Sequence, residues 1–414
     1  MNERKRPVLE PQYMKRFRCI GSACEDSCCK GWRVDIDHET YRKYKKVKDD
    51  ELTAMFESYI HRNRADNHAD NNYAKVKLID DAKCPFLTEE SLCKIQLKRG
   101  EEYLSDVCAT YPRNANIINN TLERSLTMSC PEAARIALLD PKEMEFDEYE
   151  ETVSTRNIVK ISFNTKDIKF NNKPYKYLWE LRIFIINVLQ DRRMRLSERL
   201  IVLGMFFNKL QEYLNENRVD DIPVLIGTYV NYLETDAFGE SLKGIPVQYN
   251  IQMELLKEIS DRRYQMGVNS TRYIECFAEF LNGIEYRLEA TIEENGERYR
   301  SAWEDYYEPF MKEREYILEN YLVNYVFRTA FPFSNEKNIF DIYTVMVLHY
   351  ALIKMQLIGM AGFRKGLTDE CVVKLIQAFA KAVEHNKVFI NDMVDVLRRN
   401  GYNTMTFMAI LIKN

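Results

Sequence analysis

Glycine and proline are scarce in this chain, with 14 and 11 of 414 residues. Many short strands would need many turns, and turns draw on those two residues, so the scarcity favours long helices. An excess of one charge is also lacking. Lys and Arg number 59 against 63 Asp and Glu, a net charge of about −4, which excludes the strongly basic face of a nucleic-acid binder. The short basic run RKYKKVK (42–48) reads as a solvated helix face. No apolar stretch follows the basic opening MNERKRPVLEPQY, so no secretory signal is expected. The most apolar run, IFDIYTVMVLHYALIKMQLIGMAGF (339–363), contains Asp341, His349 and Lys354. It reads as a buried helix, not a membrane span. The expected compartment is the cytoplasm, where thiols stay reduced and structural disulfides are rare.

Cysteine is nearly absent from the last 284 residues and dense before them. Eight of the ten cysteines lie between 19 and 130. The other two, Cys276 and Cys371, sit among apolar neighbours and read as small packing residues. The length and the 46% hydrophobic content allow two or three domains with a large core. The expected fold is mainly α: an irregular cysteine-rich metal-binding domain (1–140) packed on a multi-helix domain (176–414), with a connector (141–175) that holds one small hairpin.

The local signals are these. Asp37 is placed to cap a helix over HETYRKYKKV, a short helix is expected at 89–98 before Gly100, and Pro131 opens another in CPEAARIALL. NIVKISFN (157–164) alternates like a strand, with DIKFNNKPY (167–175) as its hairpin partner. Beyond residue 174 the helix period dominates. Leu200, Leu203, Phe207, Leu210 and Leu214 recur at spacings of three and four and form one apolar stripe. Comparable stripes run through 174–191, 248–265, 271–289, 309–331, 338–360 and 370–398. No repeat of fixed length supports a solenoid.

The cysteines read Cys19-x4-Cys24-x3-Cys28-Cys29, then Cys84-x8-Cys93-x14-Cys108, then Cys130. Clustered thiolates in a reducing compartment select zinc or iron–sulfur clusters over hard cations. The first group fits the close ligand pairs of zinc loosely; the second is too widely spaced for an ordinary ribbon or finger. A 4Fe–4S cluster tolerates wider spacing. One cluster with spare thiols, one cluster plus a zinc, and two metals all remain open. A redox pair is disfavoured because Cys28–Cys29 is no C-x-x-C motif. Tyr111 and Arg113 follow Cys108 in CATYPR, and an arginine beside anionic thiolates is electrostatically favourable.

The stretches RFRCIGSACEDSCCKGWRVDID, CPFL…LCKIQLKRGEEYLSDVCATYPR and SLTMSCPEAAR, within residues 13–135, resemble the flagellin lysine N-methylases of bacteria. They are also similar to a broader set of zinc- or iron-chelating domains. LENYLVNYVFRTAFPF (318–333) carries the likeness further along. The resemblance implies an S-adenosylmethionine-dependent methyltransferase acting on flagellin lysines in the cytoplasm, with a 4Fe–4S cluster. It implies a ligand pool of Cys19, Cys24, Cys28, Cys29, Cys84, Cys93, Cys108 and Cys130.

The common devices for binding that cofactor are missing. No G-x-G-x-G occurs, the nearest stretch GMAG (359–362) reads as a helix stop, and the radical-type C-x3-C-x2-C spacing is broken by the adjacent Cys29. Polar and radical transfer both stay open. Asn320, Asn324 and Arg328, spaced by four, form a polar line on an apolar helix. They are the candidate cofactor contacts, against the alternative of an exposed stripe. His349 is a core histidine or a proton acceptor, and Asp35 and Asp37 are candidates to neutralise an incoming lysine. The competing functions are a metal-stapled binding module without catalysis and a metal-handling protein.

Overall fold

The computed structural model describes residues 5–64, 70–153, 156–235, 237–333 and 338–414. The stretch NRADNHADNN (63–72), which reads as a loop from its Asn and Asp content, lies partly outside them. The chain is mainly helical with two small sheets.

The larger sheet has five strands in the order β7-β1-β6-β5-β8. These are β1 (Lys5–Pro11), β5 (Arg113–Ile118), β6 (Thr121–Leu126), β7 (Phe146–Thr152) and β8 (Val159–Phe163). β1 runs parallel to β6 and antiparallel to β7; β5 pairs antiparallel with β6 and parallel with β8. β5 and β6 are joined through Asn119 and Asn120, both at positive φ, the backbone that a tight hairpin needs and that asparagine tolerates. The expected hairpin over 157–175 does not form. Its first half is β8, but Ile168–Phe170 and Pro174–Tyr177 are short 3-10 turns. Phe163 and Phe170 instead pack in one cluster with Tyr175, and β8 finds its partner in β5.

The smaller sheet, β2 (Asp35–Ile36), β4 (Ala74–Val76) and β3 (Ile60–Arg62), lies within the cysteine-rich segment. Around it pack Val34, Ile36, Tyr44, Leu52, Phe56, Phe86 and Ile95. Asp37 caps the helix His38–Tyr44 by accepting from the Thr40 amide, as expected, a contribution of about 1 kcal/mol. The next predicted helix is shorter than its signal: Lys94–Arg99, stopped by Gly100 at φ 86°. Pro131 opens the helix Pro131–Leu138.

The helical region has one large apolar core. The stripe over 200–214 lies on Leu196–Asn215. Ile339–Arg364 is long and apolar enough to cross a membrane by length and composition, yet it is packed inside the protein. The GMAG stretch is not its stop. Gly359 and Gly362 lie inside it, where a Cβ on the facing Gly283 would stand 1.7 Å from the Gly359 carbonyl oxygen. The glycines let two helix backbones touch; the helix ends later, at Lys365 in the left-handed region. The stripe over 370–398 is broken by a π-turn, Ala380–Glu384, between Asp369–Phe379 and Lys387–Arg399.

Three polar tethers dock this region on the sheet. Arg182, buried, makes paired hydrogen bonds of 2.8 and 2.6 Å to Glu123 of β6. Asn324 donates to the Leu126 carbonyl and accepts from Tyr13. Asn114 and Asn116 of β5 both donate to the Arg328 carbonyl.

Candidate functional site

A cavity of about 410 Å³ opens where the cysteine loop, the larger sheet and the π-turn meet. That volume is within the usual range for a small-molecule site. Cys28, Trp32, Tyr111, Arg113, Ser129 and His385 are among its lining residues.

The cysteine loop is held by its acid. Asp26 accepts from Lys381 Nζ at 2.8 and 3.0 Å and from Gln377 Nε2 at 2.8 Å. Gln377 also donates to the Ser129 carbonyl at 2.9 Å, so one side chain ties the loop to the turn that leads from β6 into Cys130. The extra residue of the π-turn sets the facing of Lys381, Glu384 and His385; such bulges often occur at functional sites.

Trp32 and Tyr111 stack as a tilted pair with ring centroids 5.3 Å apart, and the Trp32 indole donates to the Cys28 carbonyl. Arg113 lies 5.2 Å over the Phe17 ring. Arg33, Arg113, Lys160 and Lys381 face the cavity; Asp35 pairs with Arg33 and Asp26 with Lys381, so the positive excess rests on Arg113 and Lys160.

Behind this wall is a buried polar group. Glu384 accepts from Tyr321 at 2.5 Å and from Arg328. Burial pushes the Glu384 carboxyl up, but Arg328 and His349 outweigh it and hold the carboxyl below its ordinary value. His349 lies edge-on to Tyr325 and Phe379, with neither ring nitrogen hydrogen-bonded in the structure. Burial draws its pKa down to about 4, so it is neutral at pH 7.

The neighbouring Cys29 thiol and burial both raise the Cys28 pKa. The Cys84 amide donates to the Cys29 carbonyl at 2.8 Å. Burial pushes Cys84, Cys108 and Cys130 up to about 12; Cys84 further feels the charges of Cys108, Cys93 and Cys28, and Cys130 those of Cys24 and Cys28. Cys28 and Cys108 are solvent-accessible, and Cys28 lines the cavity. Cys19 is exposed. Among the described residues, no three cysteine, histidine or carboxylate side chains stand close enough together to hold a metal ion. The donor chemistry suits a soft metal.

Asn320, Asn324 and Arg328 do not form an exposed stripe. All three are buried or nearly so. Asn324 is satisfied by protein on both sides. Asn320 donates to the carbonyls of Leu138 and Asp140, leaves its buried oxygen without a partner, and borders a separate cleft of about 780 Å³. That cleft is larger, but its charges Lys15–Asp147 and Arg16–Asp140 are already paired, and among the described residues no thiol or imidazole lines it. Arg328 supports the smaller cavity from behind through Glu384. Asp37 is occupied by the Thr40 and Asp106 amides, and Asp35 pairs with Arg33. Tyr111 and Arg113 do line the cavity.

Sequence reasoning missed Asp26, Trp32, Thr127, Ser129, Lys381 and His385. Trp32 carried a signal, as one of three tryptophans directly after the cysteine pair. The polar group at Lys381–His385 carried none, because a π-turn has no sequence signature.

The pattern of the FliB lysine N-methylase C-terminal domain matches residues 182–411, more than half of the chain. The chain belongs to the lysine N-methylase family. It is 23% identical over 389 residues to "Lysine-N-methylase" of Salmonella typhimurium, covering 92% of each chain. The Salmonella choleraesuis protein of that name is equally similar. "Flagellar biosynthetic protein FliU" of Salmonella muenchen is 34% identical over 142 residues, 34% of this chain and 82% of that one. No solved structure matches. The lysine N-methylase match spans the helical region and the π-turn, so Lys381 and His385 lie inside it.

Proposed function

We propose that this protein transfers a methyl group from S-adenosylmethionine to lysine side chains of flagellin, in the cavity between the cysteine loop and the π-turn. The observation that carries the reading is the meeting there of an aromatic pair, four cations and an imidazole, in a chain of the lysine N-methylase family. The flagellar name of one relative supports the substrate.

The residues suit the cofactor. Trp32 and Tyr111 offer ring faces to a sulfonium or a purine; a cation over such a face gains roughly 0.5–2 kcal/mol. Arg113 and Lys160 suit a carboxylate. The donor when bound supplies an electrophilic methyl group. The cysteine pool suits a 4Fe–4S cluster, with zinc as the alternative metal; a bound cluster supplies either structural closure or iron chemistry beside the cavity. The raised thiol pKa values mean that ligation must release protons. We place the reaction in the cytoplasm, where these thiols stay reduced.

The test is purification without oxygen, metal and sulfide analysis with an absorption spectrum, and transfer from labelled S-adenosylmethionine to flagellin from the same source. A broad band near roughly 400 nm and labelled lysine are the expected results. A protein with its metal intact that labels no flagellin overturns the reading. It would favour a binding module, the more so if S-adenosylmethionine does not bind saturably.

A further inference from the structure

Before a lysine amine can attack a methyl group, its ammonium must lose a proton. The cavity contains a chain of groups that can take it, and this inference rests on the methyltransferase reading above. The Tyr111 hydroxyl lies 3.2 Å from Ser129 Oγ. Ser129 Oγ lies 3.2 Å from His385 Nε2. Thr127 Oγ1 closes the group, 3.2 Å from Ser129 Oγ and 3.4 Å from the same nitrogen. We propose that His385 is the terminal base of lysine deprotonation, and that the Ser129 and Tyr111 hydroxyls relay the proton to it.

The step balances without any further reactant. The N–H bond of the ammonium breaks and its electron pair stays on the lysine nitrogen. The proton goes to a relay hydroxyl, which gives up its own proton toward Nε2. Ammonium becomes amine, and imidazole becomes imidazolium. A hydroxyl both donates and accepts, so the relay needs no displacement of heavy atoms. Ser129 and Thr127 are buried, which keeps water from competing. His385 itself is exposed along its outer edge, so the collected proton can leave to solvent after each turnover.

The charges around the ring suit the task. Glu384 precedes His385 and is paired with Arg328; Lys160 comes from β8 and Lys381 from the same π-turn. Tyr111 and Arg113 face it across the cavity, as does Asp26, already engaged by Lys381. The excess of cations lowers the pKa of an ammonium that enters. Loss of solvent draws the imidazole pKa down to about 4. The ring is therefore neutral at pH 7 and open to a proton, which it holds only briefly before passing it on.

The experiment is methyl transfer to flagellin by the holoenzyme as a function of pH, for the parent, His385→Gln and Ser129→Ala. At about pH 7.5, His385→Gln is expected to lose about 100-fold in rate, with binding of S-adenosylmethionine by calorimetry unchanged. The loss should shrink at least about tenfold by pH 9.5, because more substrate lysine is then already deprotonated by solvent. Ser129→Ala, which keeps the imidazole, should show the same alkaline recovery. Tyr111→Phe serves if either variant fails to fold. Parent-like rates and pH profiles in the variants overturn the proposal while leaving the methyltransferase reading intact. So does a loss that does not recover at high pH. A holoenzyme that transfers nothing at any pH sinks that reading, and this inference with it.

Discussion

The front end and the helical region stabilise themselves by different means. The helical region encloses fully buried side chains such as Phe206, Phe207, Tyr343 and Phe379 in one continuous core, each large apolar side chain contributing about 1.5–3 kcal/mol. Among the described residues between 34 and 104, the apolar cluster of the cysteine-rich segment has twelve buried side chains, one of them a cysteine thiol, around strands of two or three residues. So small a core is marginal, and a metal among its thiols would supply what packing does not.

In the proposed metal-bound protein, the widest separation of the two regions should come from removing metal. Anaerobic chelation is expected to remove on the order of 10 kcal/mol from the front end. Hydrogen exchange would then rise across about residues 30–110 and stay slow across Ile339–Arg364. Equal loss in both regions breaks the contrast. Next comes Gly283→Ala, whose methyl would collide with the Gly359 carbonyl. It should cost about 3 kcal/mol in urea denaturation of the helical region. Gly227→Ala has open space around it and should be neutral or slightly stabilising. Asp26→Asn weakens the link between the regions. About 2 kcal/mol is the expected loss, seen as two separate thermal transitions where the parent has one.

The smallest effect concerns His349. Its folded pKa, about 4, lies below the ordinary 6.5, so folding favours the neutral ring. That contribution is complete above pH 6.5 and is lost as pH falls toward 4. By about pH 5.5 the parent should have lost about 1 kcal/mol relative to His349→Phe, measured as the difference in denaturation midpoint.

Helices with a clean stripe were legible because one apolar face is enough to imply one buried face. Leu200 to Leu214 and the Asp37 cap are examples. The five-stranded sheet was not. Four of its five strands have no strict alternation, because β5 is buried on both faces and β7 has charged residues on its exposed side. The Asn119–Asn120 turn was a readable sign that passed unused. GMAG was misread because a glycine that ends a helix and one that admits a neighbouring helix look alike until the neighbour is known. The proposed cavity borders the cysteine-rich segment through Cys28. The cavity beside them depends on residues more than 250 positions apart in sequence, Ser129 and His385, which no local pattern connects.

The strand order has a consequence for biosynthesis. β1 lies between β6 and β7, so the first-made strand has no neighbour until the ribosome has passed residue 126. Every front-end cysteine but Cys130 has been synthesised by then, on a chain still tethered at one end only. Loading of the proposed metal would therefore have an interval early in translation. Lys381 and His385 emerge last, so a truncated nascent chain could acquire metal long before it acquires the other wall of the cavity.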